Sequence, residues 1–136
     1  MTISIFPITS GFVAEIGDVD LSQPLSAAEV DAIKQAFWDY AVLIFPEQDL
    51  TEQQQLVFAQ HIGPLETNLF AVNKNAKFRL ASNLIDVSNL TLNNEIWGEQ
   101  SRMRQFNLGN RLWHTDSSFK YLPARASLLY ARTIPP

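Results

Sequence analysis

The sequence predicts an α+β or mostly-β fold around one sheet, with helices early and strands late. Three observations predict it. Two capping-box patterns, Ser26-Ala27-Ala28-Glu29 and Thr51-Glu52-Gln53-Gln54, mark two helix starts in the first half. Short apolar and β-branched runs recur before, between and after them. The length of 136 residues, 46% of them hydrophobic, suits one globular domain with a core of its own.

In chain order, Ile3, Ile5 and Ile8 form a first strand, broken at Gly11. Phe12 to Ile16 is a second, and Gly17-Asp18 is a turn signal. After the cap at Ser26, Val30, Ile33 and Phe37 recur at helical spacing, which predicts a helix from Ala27 to Tyr40. Ala41 to Phe45 is continuous and apolar, as in a buried strand, and Pro46 ends it. The second helix runs from the Thr51 cap to His61 and stops at Gly63-Pro64. Phe78 to Leu84 reads as a strand. Residues 86–110 are rich in Asn, Ser, Gly and Gln and read as a long loop, a place where lids are often built. Leu112 to Asp116 is extended, and Ala126 to Thr133 reads as a strand with Leu128 and Tyr130 on one face.

Composition excludes several functions. There is no cysteine, so disulfides, thiolate zinc sites and thiol nucleophiles are absent. The net charge of −4 argues against a general nucleic-acid binder. No apolar run approaches the roughly 20 residues of a membrane span. The first basic residue is Lys34, so no signal-peptide pattern opens the chain, and a cytoplasmic protein is expected. Phosphate-binding loops, GxGxxG and GxSxG are missing. Charge is uneven. Residues 101–136 hold Arg102, Arg104, Arg111, Lys120, Arg125 and Arg132 against the single acid Asp116. Such an end suits an anionic small molecule, or is simply a solvated face.

The chemistry centres on His114-Thr115-Asp116. In an extended segment, residues i and i+2 point to the same side, so one imidazole and one carboxylate can meet a single ion. Imidazole with carboxylate is the ligand mixture of non-haem Fe(II) sites. Spacing alone leaves two readings open, a metal pair or a hydrogen-bonded surface pair. The other histidine, His61, ends the second predicted helix.

The surroundings narrow this. Asn110-Arg111-Leu112-Trp113-His114-Thr115-Asp116-Ser117-Ser118-Phe119 resembles the iron-binding segment of the TauD/TfdA family of Fe(II)- and 2-oxoglutarate-dependent dioxygenases. Asp18-Val19-Asp20-Leu21-Ser22, Ala41-Val42-Leu43-Ile44-Phe45, Phe58-Ala59-Gln60-His61-Ile62-Gly63-Pro64-Leu65-Glu66 and Pro123-Ala124-Arg125-Ala126-Ser127-Leu128-Leu129-Tyr130 resemble further family segments in order, down to Pro135-Pro136. The resemblance covers nearly the whole chain and is nearest to the 2,4-dichlorophenoxyacetate (2,4-D) branch.

It implies a double-stranded β-helix (jelly-roll) with flanking helices, of which residues 1–136 would be a single partial domain, the N-terminal half. The family's second iron histidine, the 2-oxoglutarate arginine and a G-G-D-T threonine are expected downstream, so the chain reads as an N-terminal fragment that is inactive by itself. By resemblance, His114 and Asp116 are the metal ligands, and Fe(II), 2-oxoglutarate and O2 are the cofactor and cosubstrates. The cosubstrate's residues lie outside this chain. Asn110 would line the substrate site, or act as a loop-capping amide. Trp113 would pack beside the metal, and Arg125 would orient the site or cap a strand. His61 has no ligand role in the family. The lysine that the 2,4-D branch places for the substrate carboxylate aligns with Ala71, and Lys74 comes three residues late, so the substrate is open.

The implied reaction hydroxylates a carbon beside an ether oxygen. It converts 2,4-D to 2,4-dichlorophenol and glyoxylate, with succinate and CO2 released. The alternatives are a taurine or alkyl sulfate dioxygenase, a non-catalytic anion-binding or interaction module, and a metal hydrolase. The expected partner is an anionic small molecule, an aryloxyacetate or a sulfonate, with no nucleic acid and no membrane. The parent enzyme is expected to be a homo-oligomer.

Overall fold

A computed structural model of the chain describes residues 3–66 and 77–133. It divides into two compact units, Met1–Pro64 with Tyr130–Pro136, and Leu65–Leu129.

The first unit is a three-stranded sheet with helices. Strand β1 (Ser4–Thr9) pairs antiparallel with β2 (Val13–Gly17), with Ser4 opposite Gly17 and Pro7 opposite Ala14. The register shifts between Pro7 and Thr9, where proline has no N–H for the ladder. Gly11 turns the hairpin at φ +65°, a conformation cheap only for glycine. Gly17 is needed for a different reason. The Phe6 ring lies over it, and a Cβ there would sit 2.9 Å from the ring.

Strand β2 then pairs parallel with β3 (Val42–Ile44), with Val13 opposite Val42. A parallel pair needs a crossover, and helix α1 (Ala27–Tyr40) supplies it. Ser26 caps α1 and Glu29 closes the capping box, as the sequence predicts. The alternation along β2 buries Ala14 and Ile16 under α1, which answers with Ile33 and Ala36. Ile3, Leu21 and Phe58 complete the buried cluster, and Leu43, Phe45 and Ile62 pack against it. Helix α2 (Glu52–Ile62) brings Phe58 in, edge-on to Phe45 with ring centroids 5.4 Å apart.

Gln48 ties the loops of this unit together. It accepts from the Leu21 N–H at 2.8 Å and donates to the Val19 and Pro46 carbonyls. The Tyr130 hydroxyl accepts from the Leu50 N–H at 3.0 Å and donates to the Gln48 carbonyl.

The second unit has little regular structure. Leu90 and Ile96 form an isolated antiparallel bridge. Helix α3 (Arg102–Asn107) follows and runs into a 3-10 turn, Leu108–Arg111. Arg79 organises the loop before them, donating to Asn94, Asp86 and Ser88.

Four expectations are corrected. Strand β3 is not buried on both faces: Leu43 packs against the core, while Val42 and Ile44 on the opposite face are 40% and 44% exposed. Phe78 to Leu84 is a bend and turn, drawn into the Arg79 network rather than onto a sheet. Ala126 to Thr133 forms no ladder among the described residues, although Leu129 (85% exposed) still alternates with the better covered Leu128 and Tyr130. Residues 86–110 are not all loop, since α3 and part of the 3-10 turn lie there. The α+β class stands, with helices outweighing three short strands among the described residues.

Candidate metal centre

The 3-10 turn delivers the chain to the site. The Leu112 N–H bonds back to the Gly109 carbonyl, and Leu112 itself is extended at φ −84°, ψ 147°. This points the Leu112 carbonyl forward, where it lies 2.8 Å from His114 Nδ1. A carbonyl only accepts, so Nδ1 carries the proton in this contact. In the neutral ring Nε2 then keeps its lone pair, the tautomer that binds metals.

His114 Nε2 lies 3.4 Å from Asp116 Oδ1. The other oxygen, Oδ2, accepts from the Ser127 hydroxyl at 3.1 Å. With the ring neutral, Nε2 and Oδ1 are two acceptors facing each other, an arrangement that a shared cation would relieve; with the ring protonated the same contact is an ion pair. Ligands at about 2.1 Å from one ion, at adjacent positions, are separated by roughly 3.0 to 3.4 Å. The donor set suits iron, manganese or zinc, and the outer contacts from Leu112 and Ser127 are of the kind that orient metal ligands. Both side chains are open, His114 at 50% and Asp116 at 64% exposure.

Beyond Asp116 the chain turns. Ser117 has φ +55°, and the Lys120 N–H closes the turn on the Ser117 carbonyl at 3.0 Å. Glu66 Oε2 accepts from Lys120 Nζ at 2.7 Å and from Ser117 Oγ at 3.1 Å. The Lys120 hydrogen bond is the largest influence on Glu66. It holds the carboxyl below its ordinary 4.5 against a small opposing effect of burial.

Other candidate residues are placed as follows. Asn110 belongs to the 3-10 turn four residues before His114, and its side chain lies outside the described residues. Ala71 and Lys74 also lie outside them, as do Pro135 and Pro136. Trp113 is fully exposed rather than packed, and Arg125 is exposed. His61 stands in the last turn of α2, in the first unit. No cluster of three or more His, Asp or Glu ligands exists among the described residues.

A pocket of about 220 Å³ lies elsewhere in the second unit, lined by Asn89, Trp97, Arg104, Asn107 and Arg111 among others, with no carboxylate. No helix among the described residues is long and apolar enough to cross a membrane.

Sequence reasoning named Glu66, Ser117, Lys120 and Ser127 but read none of their contact roles. The signal was there in part. Glu66 and Ser127 stood in the quoted family segments, but nothing in the spacing ties them to residues 11 to 54 positions away.

The family model for the taurine catabolism dioxygenase TauD, TfdA family matches residues 4–136. The alpha-ketoglutarate-dependent 2,4-dichlorophenoxyacetate dioxygenase of Cupriavidus pinatubonensis is 36% identical over 137 residues, covering 100% of this chain and 47% of that protein. The (S)-phenoxypropionate/alpha-ketoglutarate-dioxygenase of Sphingobium herbicidovorans is 30% identical over 96% of this chain and 41% of its own length. The crystal structure of AAD-2 with Mn(II) and N-oxalylglycine superposes with a TM-score of 0.83 at 42% identity, over 91% of this chain and 43% of that one. The chain thus spans less than half the length of these relatives. With a family match running from the first strand through the His114–Asp116 pair to the last residue, the chain belongs to the TauD/TfdA dioxygenase family.

Proposed function

We propose that the full-length protein is an Fe(II)- and 2-oxoglutarate-dependent dioxygenase acting on an anionic aryloxyacetate. The observation that carries this is the His114 Nε2–Asp116 Oδ1 pair, an imidazole nitrogen and a carboxylate oxygen 3.4 Å apart in a chain of the TauD/TfdA dioxygenase family. The Leu112 carbonyl keeps the imidazole in the ligating tautomer, and the Ser127 hydroxyl occupies Oδ2 so that Oδ1 stays available. When bound, the metal with 2-oxoglutarate and O2 supplies the oxidation that yields succinate, CO2 and a hydroxylated carbon beside the ether oxygen. The resulting hemiacetal of a phenoxyacetate collapses to a phenol and glyoxylate. The remaining metal ligand and the 2-oxoglutarate residues come from outside this chain, and the whole enzyme is a jelly-roll with flanking helices. It is a cytoplasmic homo-oligomer, and residues 1–136 are one partial domain of it. Asn110 is assigned to the substrate side of the pair.

The relatives' own substrates, 2,4-dichlorophenoxyacetate and (S)-phenoxypropionate, support the aryloxy class over the sulfonate class. The test is product release by the full-length enzyme. Phenol from 2,4-D is expected, and sulfite from taurine is not. His114→Ala and Asp116→Ala should each abolish succinate formation. Turnover retained in either variant removes that residue from the mechanism.

A second reading is favoured by one observation. The pocket that Arg104 and Arg111 share with Trp97 suits an organic anion, as a non-catalytic anion-binding module would need. That module binds its anion after metal removal. The enzyme's 2-oxoglutarate binding is lost with the metal.

A further inference from the structure

We infer that Glu66 is a positioning residue for the metal pair, anchoring through Ser117 and Lys120 the turn that aims Asp116. The inference rests on the proposed reading of His114 and Asp116 as metal ligands. Asp116 is exposed, and no described residue of its unit is buried, so core packing does not hold it in place. The next residue, Ser117, sits at φ +55°, a left-handed conformation disfavoured for any residue with a side chain. A conformation of that kind persists when surrounding contacts over-determine it.

Glu66 supplies those contacts. Its Oε2 gathers both ends of the turn, Ser117 Oγ at 3.1 Å and Lys120 Nζ at 2.7 Å. These are tethers across 51 and 54 residues of sequence, so they fix the turn against a distant part of the unit rather than against itself. The lysine contact is charge-assisted and half-sheltered, with 24% exposure at Lys120 and 38% at Glu66. Without Glu66 the turn relaxes. Asp116 Oδ1 then loses its alignment with His114 Nε2, while both ligands remain present.

The test is Mn(II) affinity of the full-length protein with 2-oxoglutarate present, read from the free Mn(II) electron paramagnetic resonance signal. Groups hydrogen-bonded directly to metal ligands change metal affinity about 10- to 100-fold, and Glu66, acting through the neighbouring turn, belongs at the lower end. Glu66→Ala is therefore expected to weaken Mn(II) about tenfold with its melting temperature little changed, which a merely structural role would reverse. Adding Ser117→Ala to Glu66→Ala should cost little more, because the serine acts through the glutamate. Wild-type affinity in Glu66→Ala, alongside loss in Asp116→Ala, overturns the inference and leaves the metal reading standing. Undiminished affinity in both His114→Ala and Asp116→Ala overturns the metal reading itself. If Glu66→Ala does not fold, Ser117→Ala and Lys120→Met each remove one contact. Weaker Mn(II) in either supports the inference, and wild-type affinity in both overturns it.

Discussion

Among the described residues all seven buried ones, from Ile3 to Phe58, belong to the first unit, whereas the unit that carries His114 and Asp116 has none. That second unit leaves Trp113 and Tyr121 fully open and Leu122 and Leu129 nearly so. It is held by polar contacts: Arg79 with Asp86 at 2.7 Å, Lys120 with Glu66 at 2.7 Å, and Ser127 with Asp116. Burial is non-directional and scales with area, so it stabilises the first unit without aiming any particular atom. Hydrogen bonds and ion pairs are directional and weak when exposed. The contrast teaches that the scaffold and the site answer to different forces and to different perturbations.

The largest expected effect tests the scaffold. Ile33 is 1% exposed, and Ile33→Ala should destabilise the first unit by about 2–5 kcal/mol. Leu112, 73% exposed in the second unit, should tolerate the same truncation within about 0.5 kcal/mol. Urea denaturation with residue-resolved amide exchange measures both. Equal losses would break the contrast.

A smaller effect concerns helix starts. Ser26→Ala and Thr51→Ala each remove a capping box and should cost about 1 kcal/mol. Ser101→Ala should cost less, since its hydroxyl only reaches the Arg104 N–H at 3.4 Å ahead of a six-residue helix. The three unfolding midpoints rank these directly.

The smallest effect is the pH response of Glu66. Its carboxyl is depressed from 4.5 by Lys120, so its contribution is fully present above pH 4.5 and is lost as pH falls through the lowered value. The protection factors of the amides over 116–120, with exchange rates corrected for their intrinsic pH dependence, should therefore fall in acid, starting below pH 4.5. Lys120→Met should move that onset upward toward 4.5. An unchanged onset in the variant would remove the lysine as the cause.

The first unit was readable because its signals are local. Ser26 with Glu29 and Thr51 with Gln54 announce helices whose starts the structure reproduces, and Gly11 and Gly17 punctuate the hairpin. The second unit resisted reading for the same reason. The apolar alternation of Phe78–Leu84 and Ala126–Thr133 implies strands, but a strand needs a partner's backbone, and alternation says nothing of whether one is present. Nothing in the local sequence marks Arg79, yet its guanidinium organises residues 86 to 94.

By itself, the sequence determined the two capped helices, the hairpin, the absence of thiol chemistry and the His114-Thr115-Asp116 tripeptide with its family resemblance. Caps, turns and periodicity act within a few residues, so a chain carries them wherever it folds. Tertiary structure alone decided that Nδ1 of His114 meets the Leu112 carbonyl, that Ser127 takes one oxygen of Asp116, and that Glu66 reaches the turn from more than fifty residues away. Those contacts depend on loop paths rather than on periodic pattern, and the path of an irregular loop is set by what it meets in three dimensions.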